Sequence, residues 1–67
     1  MRIDRVKLIT EMARQEKSSN RLCAQAGIAR ATLSGVRGGK SCAPDTAVKI
    51  ANALGVRLED ILHKEGA

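Results

Sequence analysis

Apolar residues return along this chain every three or four positions, in runs of about a dozen residues at most that glycine or a polar cluster then interrupts. That spacing marks one face of a short helix, and the interruptions leave no room for a long one. The alternation of a half-buried strand is not sustained anywhere. The expected fold class is all-α, with short helices sharing one core.

Asp4 can cap a first helix over 4–15, in which Val6, Ile9, Met12 and Ala13 share a face that Leu8 widens. The run Glu16, Lys17, Ser18, Ser19 ends it, and Ser18 or Ser19 can cap a second helix over 19–26 with Leu22, Cys23 and Ala26 on one side. Gly27 offers the left-handed backbone common just past a helix end. A third helix over 30–37 buries Leu33 and Val36, and Gly38 and Gly39 release the chain. Pro44 suits the first turn of a fourth helix over 44–54, where Asp45 complements the positive end. Its stripe is Ala47, Ile50, Ala51 and Leu54, ended by Gly55. Val56 leads into a fifth helix over 58–64, with Leu58, Ile61 and Leu62 inward and Glu59 and Asp60 in its first turn. The tail from His63 is polar and expected to fray.

A chain of 67 residues is expected to form one domain that buries roughly 60% of its unfolded surface, so a partner or second subunit would help it. Without Phe, Tyr or Trp the core must be aliphatic, and binding of single strands or RNA by base stacking has no platform. Twelve Lys and Arg against seven Asp and Glu give a formal charge of +5, the footprint of a nucleic-acid partner or simply a soluble basic surface. Cys23 and Cys42 are too few and too far apart for a zinc cluster or redox pair, and His63 is the one histidine available to join them. No metal, cofactor or small-molecule ligand is expected, and both thiols read as reduced residues of a cytosolic protein. No apolar run approaches ~18 residues and the first residues lack signal-peptide order, so neither membrane insertion nor export is indicated. Catalysis is not expected, for want of a nucleophile, a base and a concave site of useful size.

The stretch AGIARATLSGVRGGK, residues 26–40, gives the middle of the chain to small, polar and basic side chains. Short helix, glycine, three-residue turn, second helix with apolar anchors is the shape of a helix-turn-helix. From Ser18 to Leu62 the sequence resembles the lambda repressor and Cro family of bacterial and phage regulators, also called Xre-type. The matching pieces are LCAQAGIARATLS for the two-helix unit, GGK for the loop after it, VKIANALGV for the fourth helix and LEDIL for the fifth. The resemblance implies a compact five-helix lambda-repressor-like domain, cytoplasmic and nucleoid-associated, whose third helix lies in the DNA major groove. It places base-reading at Arg30, Ala31 and Gly35, with Thr32 and Ser34 between them. Phosphate contacts are implied at Ser18, Ser19 and Asn20 and at Lys40. There are departures. Ser19 stands where the family favours a bracing glutamine, Ala29 and Arg57 where it favours Ser or Thr caps, Arg21 where a glutamate would complete a capping box, and Lys17 where it is usually apolar. The loop before Pro44 is one residue short.

The residues themselves suit those roles. Leu33 and Val36 anchor a helix whose outer face is low and polar. Arg30 can donate two hydrogen bonds to guanine, or hold a phosphate. The methyl groups of Ala31 and Thr32 can pack on thymine. Gly35 costs an exposed helix ~1 kcal/mol relative to alanine, which calls for close backbone approach to the groove or for early fraying. Arg37 and Lys40, with Gly38 and Gly39 between them, read as a phosphate clamp of two cations and bare backbone N–H groups. Arg2, Arg5 and Lys7 read as a solvated basic face. The expected partner is double-stranded DNA, bound by a homodimer through Val56, Leu58, Ile61 and Leu62, unless those four complete the monomer core. The competing expectation is a protein-interaction module or antitoxin of the same fold whose basic face does not read DNA.

Overall fold

The computed structural model describes residues 1–63. Asp4 starts the first helix: its carboxylate accepts from the N–H groups of Val6 (2.9 Å) and Lys7 (3.2 Å), pairing donors that a helix start leaves open. Helix α1 follows over Arg5–Arg14. Helices α2 (Ser19–Ala26), α3 (Arg30–Arg37) and α4 (Pro44–Leu54) run over the ranges their apolar spacing predicts. Ser18 is the cap of α2, its hydroxyl accepting from the Arg21 N–H. Gly27 and Gly55 take the left-handed conformation just past α2 and α4.

The phase of α1 differs from the expected one. Val6 and Ile9 are 73% and 44% exposed and Ala13 is exposed, while Leu8 and Met12 face the core. Both sets fit a 3.6-residue period, so periodicity alone does not choose between them. The segment before the helix chooses. Ile3 pairs antiparallel with Leu62, flanked by hydrogen bonds from Asp4 N–H to Ile61 O (2.7 Å) and from His63 N–H to Arg2 O (3.0 Å). This buries Ile3, which sequence periodicity gave no reason to place in the core.

The same pairing shortens the last helix. Helix α5 is one turn, Leu58–Ile61, and Leu62 leaves it in extended conformation to meet Ile3. The expected extension toward residue 64 fails at Leu62, and position 64 itself lies outside the described residues. The Asp60 carboxylate accepts from the Arg57 N–H (3.1 Å), so the start of α5 is held although Arg57 supplies no capping oxygen.

Leu8, Leu22, Leu33, Ile50 and Ile61 are completely or almost completely buried, and no polar or charged side chain among the described residues is. Each such aliphatic side chain contributes about 1.5–3 kcal/mol by leaving water. Helix α2 packs against α3 and α4, α4 against α5, and α1 against α3 and α5. Lys17, odd by family pattern, turns out to be a cap: its ammonium donates to Ala53 O, and Gln15 Nε2 donates to Leu54 O (2.8 Å). These bonds pair carbonyls that the end of α4 would leave open. Among the described residues no helix is long and apolar enough to cross a membrane.

Candidate nucleic-acid interface

Helix α3 is fixed from one side only. Leu33 and Val36 are 1% and 2% exposed, three residues apart on the inner face, while Arg30, Ala31, Thr32, Ser34 and Arg37 are exposed on the outer one. Gly35, between them, is half-buried, with the Lys40 side chain beside it. Leu33 and Val36 hold the backbone, so the residues between them present their side chains at a fixed height.

The start of α2 lies against α3, and the arginines at the two ends of α3 reach it. Arg30 donates to Asn20 Oδ1, and Arg37 donates to Ser19 Oγ (2.7 Å). Ser18, Asn20, Arg30 and Arg37 are exposed and Ser19 is half-buried, so the expected base-reading and phosphate-binding residues at these positions form one surface. The Arg37 bond ties Ser19 to α3.

Both bonds are to neutral groups, which leaves the guanidinium charges uncancelled. Among the described residues, the ion pairs are Glu11 with Arg14, Asp45 with Lys49 and Glu59 with Arg57. None involves Arg21, Arg30, Arg37 or Lys40. Between Glu16 and Asp45 the chain has no acidic residue at all, so the helix-turn-helix carries only positive charge along its own sequence. A count of acids by segment would have found this feature; the whole-chain charge conceals it.

The turn after α3 corrects the expected clamp. The Gly38 N–H donates to Ser34 O (3.0 Å) and Gly35 O (3.1 Å), the Gly39 N–H to Val36 O (3.0 Å), and the Lys40 N–H to Gly35 O (3.0 Å). This is a Schellman closure, with Gly39 at φ 95° supplying the left-handed residue. The N–H groups are therefore spent inside the protein and are not bare. What the turn offers a phosphate is the exposed Lys40 ammonium and the Arg37 guanidinium, with Gly39 shaping the loop between them.

Early fraying does not explain Gly35, since α3 continues to Arg37 and then closes in order. A methyl group at Gly35 would meet the Lys40 side chain at 3.5 Å, an ordinary contact. Among the described residues nothing demands glycine there. Of the four residues expected to pair two subunits, Ile61 is fully buried and belongs to the monomer core. Val56, Leu58 and Leu62 are half-buried and retain surface.

An open cleft of about 450 Å³ lies between the start of α1 and the turn after α3. Among the described residues no group of three or more His, Cys, Asp or Glu is placed to hold a metal ion. Cys23 is buried and Cys42 half-buried, both as free thiols.

The model of one protein family, the Cro/C1-type helix-turn-helix DNA-binding domain, matches residues 7–65. No curated protein matches the chain in sequence. In fold it is similar to part of a hydroxyethylphosphonate dioxygenase point mutant, with TM-score 0.87 and 25% identity over 100% of this chain and 15% of that one. PhpD complexed with cadmium and hydroethylphosphonate gives TM-score 0.85 and 24% identity, covering 100% of this chain and 15% of that one. A further 2-hydroxyethylphosphonate dioxygenase variant gives TM-score 0.85 and 24% identity, over 97% of this chain and 16% of that one. The chain thus spans about 15% of the length of these solved relatives.

Proposed function

Because the chain belongs to the Cro/C1-type helix-turn-helix DNA-binding domain family, we propose that it is a sequence-specific transcriptional regulator of the repressor or controller type, reading a near-palindromic operator as a homodimer. The observation that carries this reading is the outer face of α3: a polar, basic surface on two buried anchors, in a segment without a single acidic residue. In this reading Arg30 reads a base edge, with Ala31, Thr32 and Ser34 beside it and Gly35 admitting the groove wall. Ser18, Ser19, Asn20, Arg37 and Lys40 hold phosphates. Pairing through Val56, Leu58 and Leu62 would set two reading helices about one DNA turn, ~34 Å, apart. The setting is the cytoplasm and nucleoid, and the chain acts by binding, without catalysis, a resident cofactor or a small-molecule effector.

The likeness to part of an enzyme favours a second reading, in which this fold is an interaction module and its charge serves only solubility. Salt separates the two. Selection from random duplex DNA, followed by anisotropy titration on the recovered sequence, is expected to give one preferred site and an affinity that falls steeply between ~50 and ~200 mM salt. No enrichment and no salt-dependent binding would leave the interaction module as the better account.

A further inference from the structure

The open cleft beside the turn after α3 is lined by Arg2, Asp4, Arg5, Gly38, Gly39 and His63, among others. We propose that it seats a backbone phosphodiester of bound duplex DNA, with the Arg5 guanidinium as donor. This rests on the DNA-binding reading and extends that surface from α3 onto α1.

Three observations meet here. First, the Arg5 side chain crosses the turn: its Cδ and Nε lie 3.7 and 3.8 Å from where a Cβ on Gly39 would sit. Gly39 is left-handed where it closes α3, and the arginine passes that position at ordinary van der Waals distance. Second, Arg5 is exposed and has no hydrogen bond or ion pair with any described residue. The acid nearest in sequence, Asp4, lines the same cleft; its Oδ1 accepts from the Val6 and Lys7 N–H groups, which orients the carboxylate at the helix start without cancelling its charge, and it forms no ion pair with Arg5. Third, Lys40 follows Gly39 directly, so cations flank one turn, Arg5 packed over it and Lys40 leading out of it.

A guanidinium presents a fork of donors that matches two phosphate oxygens. The cleft is open, and beside Ile3 and Val6 its wall carries Arg2, Asp4, Arg5, His63 and two glycines, whereas sites for small organic ligands are mostly apolar and enclosed. A phosphate on a polymer running past the surface fits it better. Arg5 is thus more than part of a diffuse basic face.

The test is fluorescence anisotropy on a selected duplex and on a random duplex, across ~50–300 mM salt, with wild type, R5A, R5K and R57A. R5A is expected to bind both duplexes about fivefold to tenfold more weakly near 0.1 M salt and to lower the log–log salt slope by ~0.9, the release of one phosphate contact. R5K should keep most of the slope, and R57A, which removes an equal charge from the start of α5, should keep all of it. A wild-type slope retained in R5A overturns the proposal while leaving DNA binding intact. Failure of wild type to bind any duplex overturns both. Inorganic phosphate titrated into the free protein by NMR gives the remaining arm. Tight saturation at Gly39 and His63 that R5A abolishes, with the duplex slope unchanged, would assign the cleft to a free anion and overturn it as well.

Discussion

The segment from Lys17 to Pro44 and the remainder of the fold handle charge in opposite ways. Outside that segment, Glu11, Asp45 and Glu59 each meet a cation on their own or a neighbouring turn. Inside it, Arg30 and Arg37 bond to an amide and a hydroxyl, which orients the guanidinium groups without neutralising them. Surface ion pairs contribute little to stability, so forgoing them costs the fold little while leaving a field that attracts phosphate. Stability is drawn from the aliphatic core, and the binding surface is left to bind.

The core side of that contrast breaks most severely with Leu33→Ala. Removing the deeper anchor of α3 should cost about 2–5 kcal/mol, a large part of what so small a domain has. Urea denaturation followed by circular dichroism should show the midpoint fall steeply, and DNA binding should go with it. Arg30→Ala should do the reverse: stability within ~0.5 kcal/mol of wild type, with ~1–3 kcal/mol of discrimination lost at one base pair. Repeating the selection with that variant reads out which position relaxes. Lys40→Ala is expected to weaken all duplexes together and to reduce the salt slope by ~0.9. An equal, sequence-independent loss from both substitutions would contradict the division between reading and holding.

Gly35→Ala sets the two regions against each other. The methyl group has room, so the helix should gain up to ~1 kcal/mol, seen as a raised melting temperature, while operator affinity falls if the backbone approaches the groove there. The smallest effect is on the ion-paired side. The hydrogen bond from Arg14 holds the Glu11 carboxyl below its ordinary value. A depressed carboxylate stabilises the folded state above its unfolded pKa, and the contribution is lost as pH falls through the folded one. Glu11→Gln should therefore melt slightly below wild type near pH 7, with the gap closing in acid, and differential scanning calorimetry at both pH values checks it.

Much of this was legible because it is local. Leu22, Leu33, Ala47, Ile50, Ala51 and Leu54 declare their faces by spacing, and Gly27, Pro44 and Gly55 mark ends through backbone constraints that hold in any context. What escaped is set by contacts distant in sequence. Ile3 meets Leu62 across nearly the whole chain, and that pairing turns Leu8 inward in place of Val6 and Ile9, and ends α5 early. The glycine turn was readable as a turn. Whether its N–H groups faced outward depended on a closure that Gly38 and Gly39 can make or decline, and they make it. Lys17 looked misplaced until Ala53 O stood beside it. For the interface, the residue types were readable in the sequence, while the bonds from Arg30 and Arg37 to the start of α2 needed the fold.

Chemical-shift mapping of isotopically labelled protein, titrated with its selected duplex, tests the central claim most directly. The account predicts that the largest changes fall on Arg30 to Gly35, on Ser18 to Asn20 and on Lys40, with Val48 and Lys49 of α4 and Arg57 little affected. Changes centred on α4 and α5, with α3 unmoved, would contradict it.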